Sequence, residues 1–169
     1  IVLGGPEVSY EPEGQASVEL ADYVIAGQAD FAFHELCMQL LADTRPTQKF
    51  ITAPAPRLDD LEFPYAYYTD ADLAHRLIYV EASRGCPFKC EFCLSALDKT
   101  AWPFALEPFL AALETLWQRG VRQFKFVDRT FNLKVETSLA ILGFFTAKLE
   151  ANPADPPFAH FELIPDHLP

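Results

Sequence analysis

An apolar run followed by three closely spaced cysteines stands at the centre of this 169-residue chain, where residues 77–93 read LIYVEASRGCPFKCEFC. The segment Leu77–Glu81 is rich in bulky and β-branched apolar side chains, which favour a strand. The cysteines follow at the spacing C-x3-C-x2-C, on a loop that leaves this strand. Because thiolates bind zinc, copper(I) and iron–sulfur clusters, the stretch predicts a strand that leads into a metal-binding loop.

Strand-like and helical patterns alternate from this stretch onward. We predict helices over residues 106–119 and 135–149 and strands over residues 121–127 and 158–164. The apolar face of the second helix is predicted to consist of Leu139, Leu142, Phe145 and Leu149. Alternation of this kind is typical of parallel α/β sheets, including (β/α) barrels, although three strands are too few to close a barrel.

The chain before this stretch has a different organisation. Short apolar runs at residues 1–3 and 21–25 end in glycines, and a helical pattern covers residues 31–41, with Cys37 predicted in its core-facing side. Buried strands ending in glycine and followed by a helix are typical of an open α/β sheet. The proline-rich residues 45–74 are predicted to be an extended connection, which gives three parts: 1–44, 45–74 and 75–169.

The composition excludes several classes of function. With 13 basic and 24 acidic residues the net charge is −11, which disfavours binding to nucleic acids or to anionic membranes. We expect no membrane span and no signal peptide. Four cysteines are too few for a disulfide scaffold, so a reducing, cytoplasmic environment is expected. Both ends fall in or beside apolar runs, so we expect this to be an inactive piece of a longer protein.

The number of grouped thiols indicates which kind of metal site the loop can form. Structural zinc sites use four protein ligands, whereas only Cys86, Cys90 and Cys93 are grouped here. Three thiolates can hold three irons of a cubane 4Fe–4S cluster and leave the fourth iron open. Phe88 and Phe92 would shield such a cluster. A zinc site and a closed iron–sulfur electron carrier remain the alternatives.

The motif resembles the signature of the radical S-adenosylmethionine superfamily: three cysteines at this spacing, Gly85 before the first and the aromatic Phe92 before the third. Residues 3–7 and 22–27 resemble the last strands of the cobalamin-binding domain that precedes the radical barrel in one branch of that superfamily. Residues 126–132 and 160–163 continue the likeness. The resemblance implies the tail of a Rossmann- or flavodoxin-like parallel sheet, followed by the first half of a partial TIM-type (β/α) barrel.

The same resemblance implies an enzyme that reductively cleaves S-adenosylmethionine to a 5′-deoxyadenosyl radical at a 4Fe–4S cluster. Cys86, Cys90 and Cys93 would bind the cluster. The residues expected to contact cofactors are Gly85, Phe92, Asp128 and Glu162; the last two fall at or near the carboxyl ends of predicted strands. The implied partners are a small-molecule substrate and a reductant such as flavodoxin or ferredoxin.

The resemblance does not fix the use of cobalamin. Relatives carry Gly-Glu-Gly-Glu where this chain has Gly27-Gln28-Ala29-Asp30, and their Asp-x-His-x-x-Gly segment, which supplies a cobalt ligand, is absent here. Two readings stay open for the intact protein. It would use cobalamin in methyl transfer or in ring or C–H chemistry, or it would be a radical protein without a functional cobalamin site.

Overall fold

The computed structural model describes residues 1–93 and 101–165, which form two compact α/β units, Ile1–Leu61 and a second that begins at Glu62. The first unit has a three-stranded parallel sheet in the order β1-β2-β3. Its elements are β1 (Val2–Gly4), α1 (Pro6–Ser9), α2 (Ala16–Leu20), β2 (Tyr23–Gly27), α3 (Asp30–Leu41) and β3 (Phe50–Ala53). The central strand, β2, is buried at its first three residues because α1, α2 and α3 supply the side chains that cover it.

Gly27 ends β2 in a backbone conformation that only glycine adopts without strain. Its φ is +94°, and a Cβ at this position would lie 2.4 Å from the backbone oxygen of Ala53 on β3. We expect Gly27→Ala to destabilise the first unit by about 2 to 3 kcal/mol, because the added carbon strains the backbone and pushes β3 away. Hydrogen exchange of peptides that cover β2 and β3 measures this loss directly.

Gly4 on β1 provides the matched control for that substitution. A Cβ there meets the backbone oxygen of Ile25 at 3.6 Å, an ordinary van der Waals contact. Gly4→Ala should therefore change exchange in the same peptides by less than about 0.5 kcal/mol. Equal protection loss in both variants would show that the close approach of Gly27 to Ala53 is not what constrains this edge of the sheet.

The second unit has its own three-stranded parallel sheet, in the order β4-β7-β8, and a separate two-stranded antiparallel pair, β5-β6. Its elements are α4 (Asp70–His75), β4 (Ile78–Val80), β5 (Ser83–Gly85), β6 (Ala101–Pro103), α5 (Leu106–Gln118), β7 (Gln123–Phe126), α6 (Val135–Ala151) and β8 (Phe158–His160). The central strand, β7, carries Phe124 and Phe126, both completely buried. Strand, helix, strand, helix, strand is the order that the sequence predicted.

Aromatic rings fill the core of this unit. The ring of Phe126 lies with its centroid 4.6 Å from that of Phe161, 5.4 Å from that of Phe131 and about 6 Å from those of Phe109 and Phe145. Edge-on and tilted contacts of this kind stabilise a core beyond the apolar area that they bury. Phe126 is therefore the side chain on which both helices and the segment after β8 converge.

The outer edge of β4 is covered by tyrosine hydroxyls. Tyr65 is buried; its hydroxyl accepts a hydrogen bond from the backbone N–H of Glu81 at 2.8 Å and donates to the Glu81 carbonyl at 3.4 Å. Tyr68 donates to the carbonyl of Tyr79 at 3.1 Å. Burial raises the pKa of the Tyr65 phenol well above its usual value, so Tyr65 stays protonated. These contacts satisfy backbone groups of Tyr79 on β4 and of Glu81 just after it.

Two expectations about helical faces are wrong. On α6 the buried residues are Ser138, Ile141 and Phe145, so Phe145 is the one member of the predicted face that is buried, whereas Leu139, Leu142 and Leu149 are exposed. On α3 the buried residue is Leu36, and Cys37 is only half-buried rather than a core residue. Both helices carry apolar residues around most of their circumference, so helical spacing alone does not select the side that packs.

The segment from residue 45 to residue 74 is more structured than an extended connection. It holds β3, most of α4 and two short 3₁₀ turns, Leu58–Asp60 and Pro64–Tyr67. The 3₁₀ turn Pro64–Tyr67 presents Tyr65 to the aromatic core of the second unit. Across the ranges 1–93 and 101–165, no helix is both long and apolar enough to cross a lipid bilayer.

Candidate functional site

The cysteine loop is closed at its base by the pair β5-β6. Ser83 pairs with Pro103 and Gly85 with Ala101, so the loop leaves and re-enters the fold at one place. One residue further on each side, the N–H of Phe104 donates to the carbonyl of Ala82 at 3.0 Å. Gly85, which precedes the first cysteine of the motif, has a φ of +93°, a value that favours glycine over any residue with a Cβ.

Every second residue from Phe124 on β7 to Thr130 is buried. Phe124 and Phe126 are followed by Asp128 and Thr130, while the intervening Val127 and Arg129 are exposed. The alternation of a strand thus continues beyond β7 as far as Thr130, with polar side chains in place of apolar ones, and a 3₁₀ turn follows in which Asn132 is also buried. A buried polar group is costly unless it is hydrogen-bonded, so each of these three side chains requires a partner.

Asp128 finds its partners at the base of the cysteine loop. Its carboxylate accepts a hydrogen bond from the Ser83 hydroxyl at 2.6 Å and another from the backbone N–H of Ala82 at 3.0 Å. Burial raises the pKa of Asp128, against these hydrogen bonds, which lower it. The carboxyl end of β7 is therefore attached to the start of the loop by the side chain of Asp128, which is 1% exposed.

Thr130 reaches the first cysteine of the loop. Its hydroxyl oxygen lies 3.3 Å from the sulfur of Cys86, within hydrogen-bonding distance for sulfur, and its side chain is buried. Cys86 is half-buried, whereas Cys90 and Cys93 are exposed. The N–H of Cys93 donates to the carbonyl of Cys90 at 3.1 Å, so the second and third cysteines lie on one tight turn.

Asn132 joins the same segment to the chain that follows β8. Its side-chain amide donates to the carbonyl of Ile164 at 2.8 Å, and its amide oxygen accepts from the N–H of Ile164 at 2.9 Å. The N–H of Phe131 donates to the carbonyl of Glu162 at 2.9 Å. The backbone of Glu162 is thereby fixed beside Phe131, in the segment that follows β7, while its carboxylate is exposed.

The two basic residues near the thiols differ in their surroundings. Arg84 makes a two-point contact with Glu81, Nε to Oε1 at 3.0 Å and Nη2 to Oε2 at 2.9 Å, and its guanidinium lies 5.9 Å from the Phe104 ring centroid. The charge of Arg84 is therefore largely compensated within the loop base. Lys89, between the first two cysteines, is exposed.

The cysteines are present as thiols rather than disulfides. Within residues 1–93 and 101–165 no three His, Cys, Asp or Glu side chains come close enough to hold a metal ion. The three thiols are therefore near one another in sequence but are not grouped in the geometry of a metal site. The chemistry of the donor set nevertheless fits an iron–sulfur cluster. Three thiols lie within eight residues, on one loop whose two ends are fixed.

The structure thus brings Asp128 and Cys86 to one place, next to Gly85. It does not bring Phe92 there, since this ring is 94% exposed, nor the carboxylate of Glu162. Sequence reasoning missed Ser83 and Thr130. A signal for Thr130 was present, because alternate positions from Phe124 onward continue the buried side of a strand.

Three proteins of known sequence are similar to this chain, although no family model matches it. A hopanoid C-2 methylase of Rhodopseudomonas palustris is 35% identical over 95 residues, which is 55% of this chain and 18% of the methylase. An uncharacterized methyltransferase of Pyrococcus horikoshii is 27% identical over 164 residues, 83% of this chain and 36% of that protein. A bacteriochlorophyllide d C-8(2)-methyltransferase of Chlorobaculum tepidum is 29% identical over 102 residues, which is 56% of this chain and 22% of that protein.

The fold is similar to that of a solved enzyme. TsrM of Kitasatospora setae, a radical S-adenosylmethionine methyltransferase, matches 92% of this chain with a TM-score of 0.58 and 17% identity, and the match covers 34% of TsrM. Another structure of TsrM, with cobalamin and a [4Fe-4S] cluster bound, matches equally well. This chain therefore spans between 18% and 36% of the length of the proteins that it resembles. The cysteine motif, the relatives in sequence and the similar fold together support the resemblance to the cobalamin-binding branch of the radical S-adenosylmethionine superfamily.

Proposed function

We propose that the intact protein is a methyltransferase that uses S-adenosylmethionine, a 4Fe–4S cluster and cobalamin to methylate a small molecule. The observation that carries the proposal is the three-thiol loop, which is held to the carboxyl end of β7 by Asp128. All three relatives in sequence are named as methylases or methyltransferases, which favours methyl transfer over the other chemistries of the superfamily.

In this proposal Cys86, Cys90 and Cys93 hold the cluster, which when bound supplies the electron for reductive cleavage of S-adenosylmethionine. The residues of the chain have positioning roles. Asp128 fixes the start of the loop through Ser83 and the Ala82 backbone, and Gly85 permits the turn into Cys86. Phe92 and Glu162 remain proposed cofactor contacts, which their exposure makes accessible to a bound molecule.

The finer fold assignment belongs to the same proposal. The sheet β1-β2-β3 would be the end of a Rossmann-like cobalamin domain, which extends beyond residue 44 because it includes β3. The sheet β4-β7-β8 would be the first half of a TIM-type barrel over residues 75–169, since both sheets are parallel and helices connect β4, β7 and β8. We further propose a cytoplasmic location and a flavodoxin or ferredoxin as the reductant.

Anaerobic reconstitution of this chain with iron and sulfide tests the proposal. We expect about four irons per chain, the content of a cubane cluster. Adding S-adenosylmethionine to the reduced protein should change its electron paramagnetic resonance spectrum, because an open iron accepts a further ligand. A chain that binds zinc instead of iron, or a cluster whose spectrum is unchanged at saturating S-adenosylmethionine, would contradict it.

A further inference from the structure

One face of the sheet β4-β7-β8 packs into the aromatic core, and the other carries polar side chains. In the parallel register Tyr79 on β4 is paired with Lys125 on β7, and Lys125 with His160 on β8. Residues that are paired across neighbouring strands point to the same side of a sheet. These three side chains therefore form one row across the sheet, which we call the Tyr79–Lys125–His160 row.

The row is accessible and lies apart from the contacts at the cysteine loop. Tyr79 and His160 are exposed, and Lys125 is half-buried. Asp128 and Thr130, which contact the cysteine loop, alternate with Lys125 along the chain and belong to the buried side of β7 and its extension. The row is therefore a second polar surface of this unit, on the side of the sheet that the aromatic core does not occupy.

Lys125 differs from the other cations that lie near aromatic rings. Its ammonium nitrogen is 6.0 Å from the centroid of the Tyr79 ring. Among residues 1–93 and 101–165, the other cations placed near a ring each pair with a carboxylate: Arg84 with Glu81 at 2.9 Å, Arg122 with Asp155 at 2.7 Å, and Lys148 with Glu114 at 2.5 Å. Within the same ranges, Lys125 has no such carboxylate.

The acidic residues that follow β4 and β8 do not neutralise Lys125. Glu81 is bound by both of its carboxylate oxygens to Arg84. Glu162 has an exposed carboxylate and forms no ion pair with Lys125. The chain as a whole carries a net charge of −11, so acidic partners are abundant. A half-buried lysine that lacks one leaves a positive charge free to bind an anion from outside the chain.

We propose that the Tyr79–Lys125–His160 row binds a carboxylate or phosphate group of the small molecule that the protein methylates. The Lys125 ammonium donates to the anion, as the Lys148 ammonium does to the carboxylate of Glu114. An imidazole N–H of His160 and the phenol O–H of Tyr79 are further donors in the same row. This inference rests on the proposed function only in taking the bound molecule to be the substrate.

The first test uses the metal-free chain and requires no cofactor. Lysines are reductively methylated with formaldehyde in sodium phosphate, sodium acetate or sodium chloride at equal ionic strength, and the rate at each lysine is followed by mass spectrometry. We expect phosphate or acetate to slow the reaction of Lys125 by about twofold at the concentration that half-fills the site, because a bound anion covers the amine. The exposed Lys134 should react equally fast in all three salts.

The second test measures the probe itself, by the broadening of the ³¹P signal of phosphate or of the ¹H signal of acetate. Lys125→Met removes the charge, keeps a long unbranched side chain and should abolish most of the broadening. Lys125→Arg keeps the charge and should retain it. Lys148→Met is the matched control, because it removes the same charge from a half-buried lysine whose anionic partner, Glu114, belongs to the chain. It should bind the probe as the unaltered chain does.

Slowing by phosphate alone would identify a phosphate group on the bound molecule, and slowing by acetate alone a carboxylate. Equal methylation of Lys125 in all three salts would overturn the inference, as would broadening by folded Lys125→Met as large as by the unaltered chain. If Lys125 were protected but the chain took up no iron, the proposed function would fail and the anion site would stand. Iron uptake without protection would refute the anion site alone.

Discussion

Replacing Cys86, Cys90 or Cys93 singly by alanine is expected to reduce the iron content of the reconstituted chain from about four atoms to near zero. Each thiol supplies one of only three protein ligands, and a cubane cluster held by two is exposed to loss and to oxidation. The folded protein should otherwise be little affected, because Cys90 and Cys93 are exposed and Cys86 is half-buried. Iron and sulfide analysis with the absorption spectrum measures the outcome.

Cys37→Ala is the matched control for this series. Cys37 lies half-buried on α3, in the first unit, and carries no role in the proposal. It should retain the full iron content. Loss of iron in Cys37→Ala as complete as in the other three variants would mean that the ligands have been assigned wrongly, and that the C-x3-C-x2-C loop does not hold the cluster by itself.

Removing the ring of Phe126 is expected to have the largest effect on stability. Phe126 is completely buried and contacts the rings of Phe109, Phe131, Phe145 and Phe161. Phe126→Ala should lower the free energy of unfolding of the second unit by about 3 to 5 kcal/mol, because the cavity removes contacts from several elements at once. Both tryptophans, Trp102 and Trp117, lie in this unit, so urea unfolding followed by tryptophan fluorescence reports on it.

Phe158→Ala provides the comparison within the same unit. Phe158 begins β8 and its side chain is 60% exposed. Its removal should cost less than about 1 kcal/mol. If both substitutions shifted the urea midpoint equally, the aromatic cluster around Phe126 would not be the main source of cohesion in this unit.

The sequence was sufficient to predict the larger elements. Helices α3, α5 and α6 and strands β1, β2, β4 and β7 lie where hydrophobic periodicity placed them, to within a few residues. The short elements α1, α2, α4 and β3 were missed. A helix of four to six residues offers too little periodicity to recognise, and β3 lies in a proline-rich segment that pointed to extended, unpaired chain.

The candidate site was predictable in its chemistry but less so in its geometry. The spacing of the three cysteines was enough to select them as candidate metal ligands. Asp128 was selected as a candidate cofactor contact because it follows a predicted strand. The partners of Asp128 and Cys86 were not expected, since Ser83 and Thr130 are ordinary residues until the fold brings β7 beside the loop. The buried side of α6 was missed for a related reason. The helix has two apolar faces, and only the position of the sheet decides which of them is buried.

The alternating burial beyond β7 also limits how this protein can vary in length. Asp128 and Thr130 each serve a different neighbour, and both depend on the same two-residue period. Insertion or deletion of one residue just after Phe126 would turn Arg129 inward and these two polar side chains outward. A single-codon change in length would therefore break both junctions together, whereas a substitution at either position would break only one.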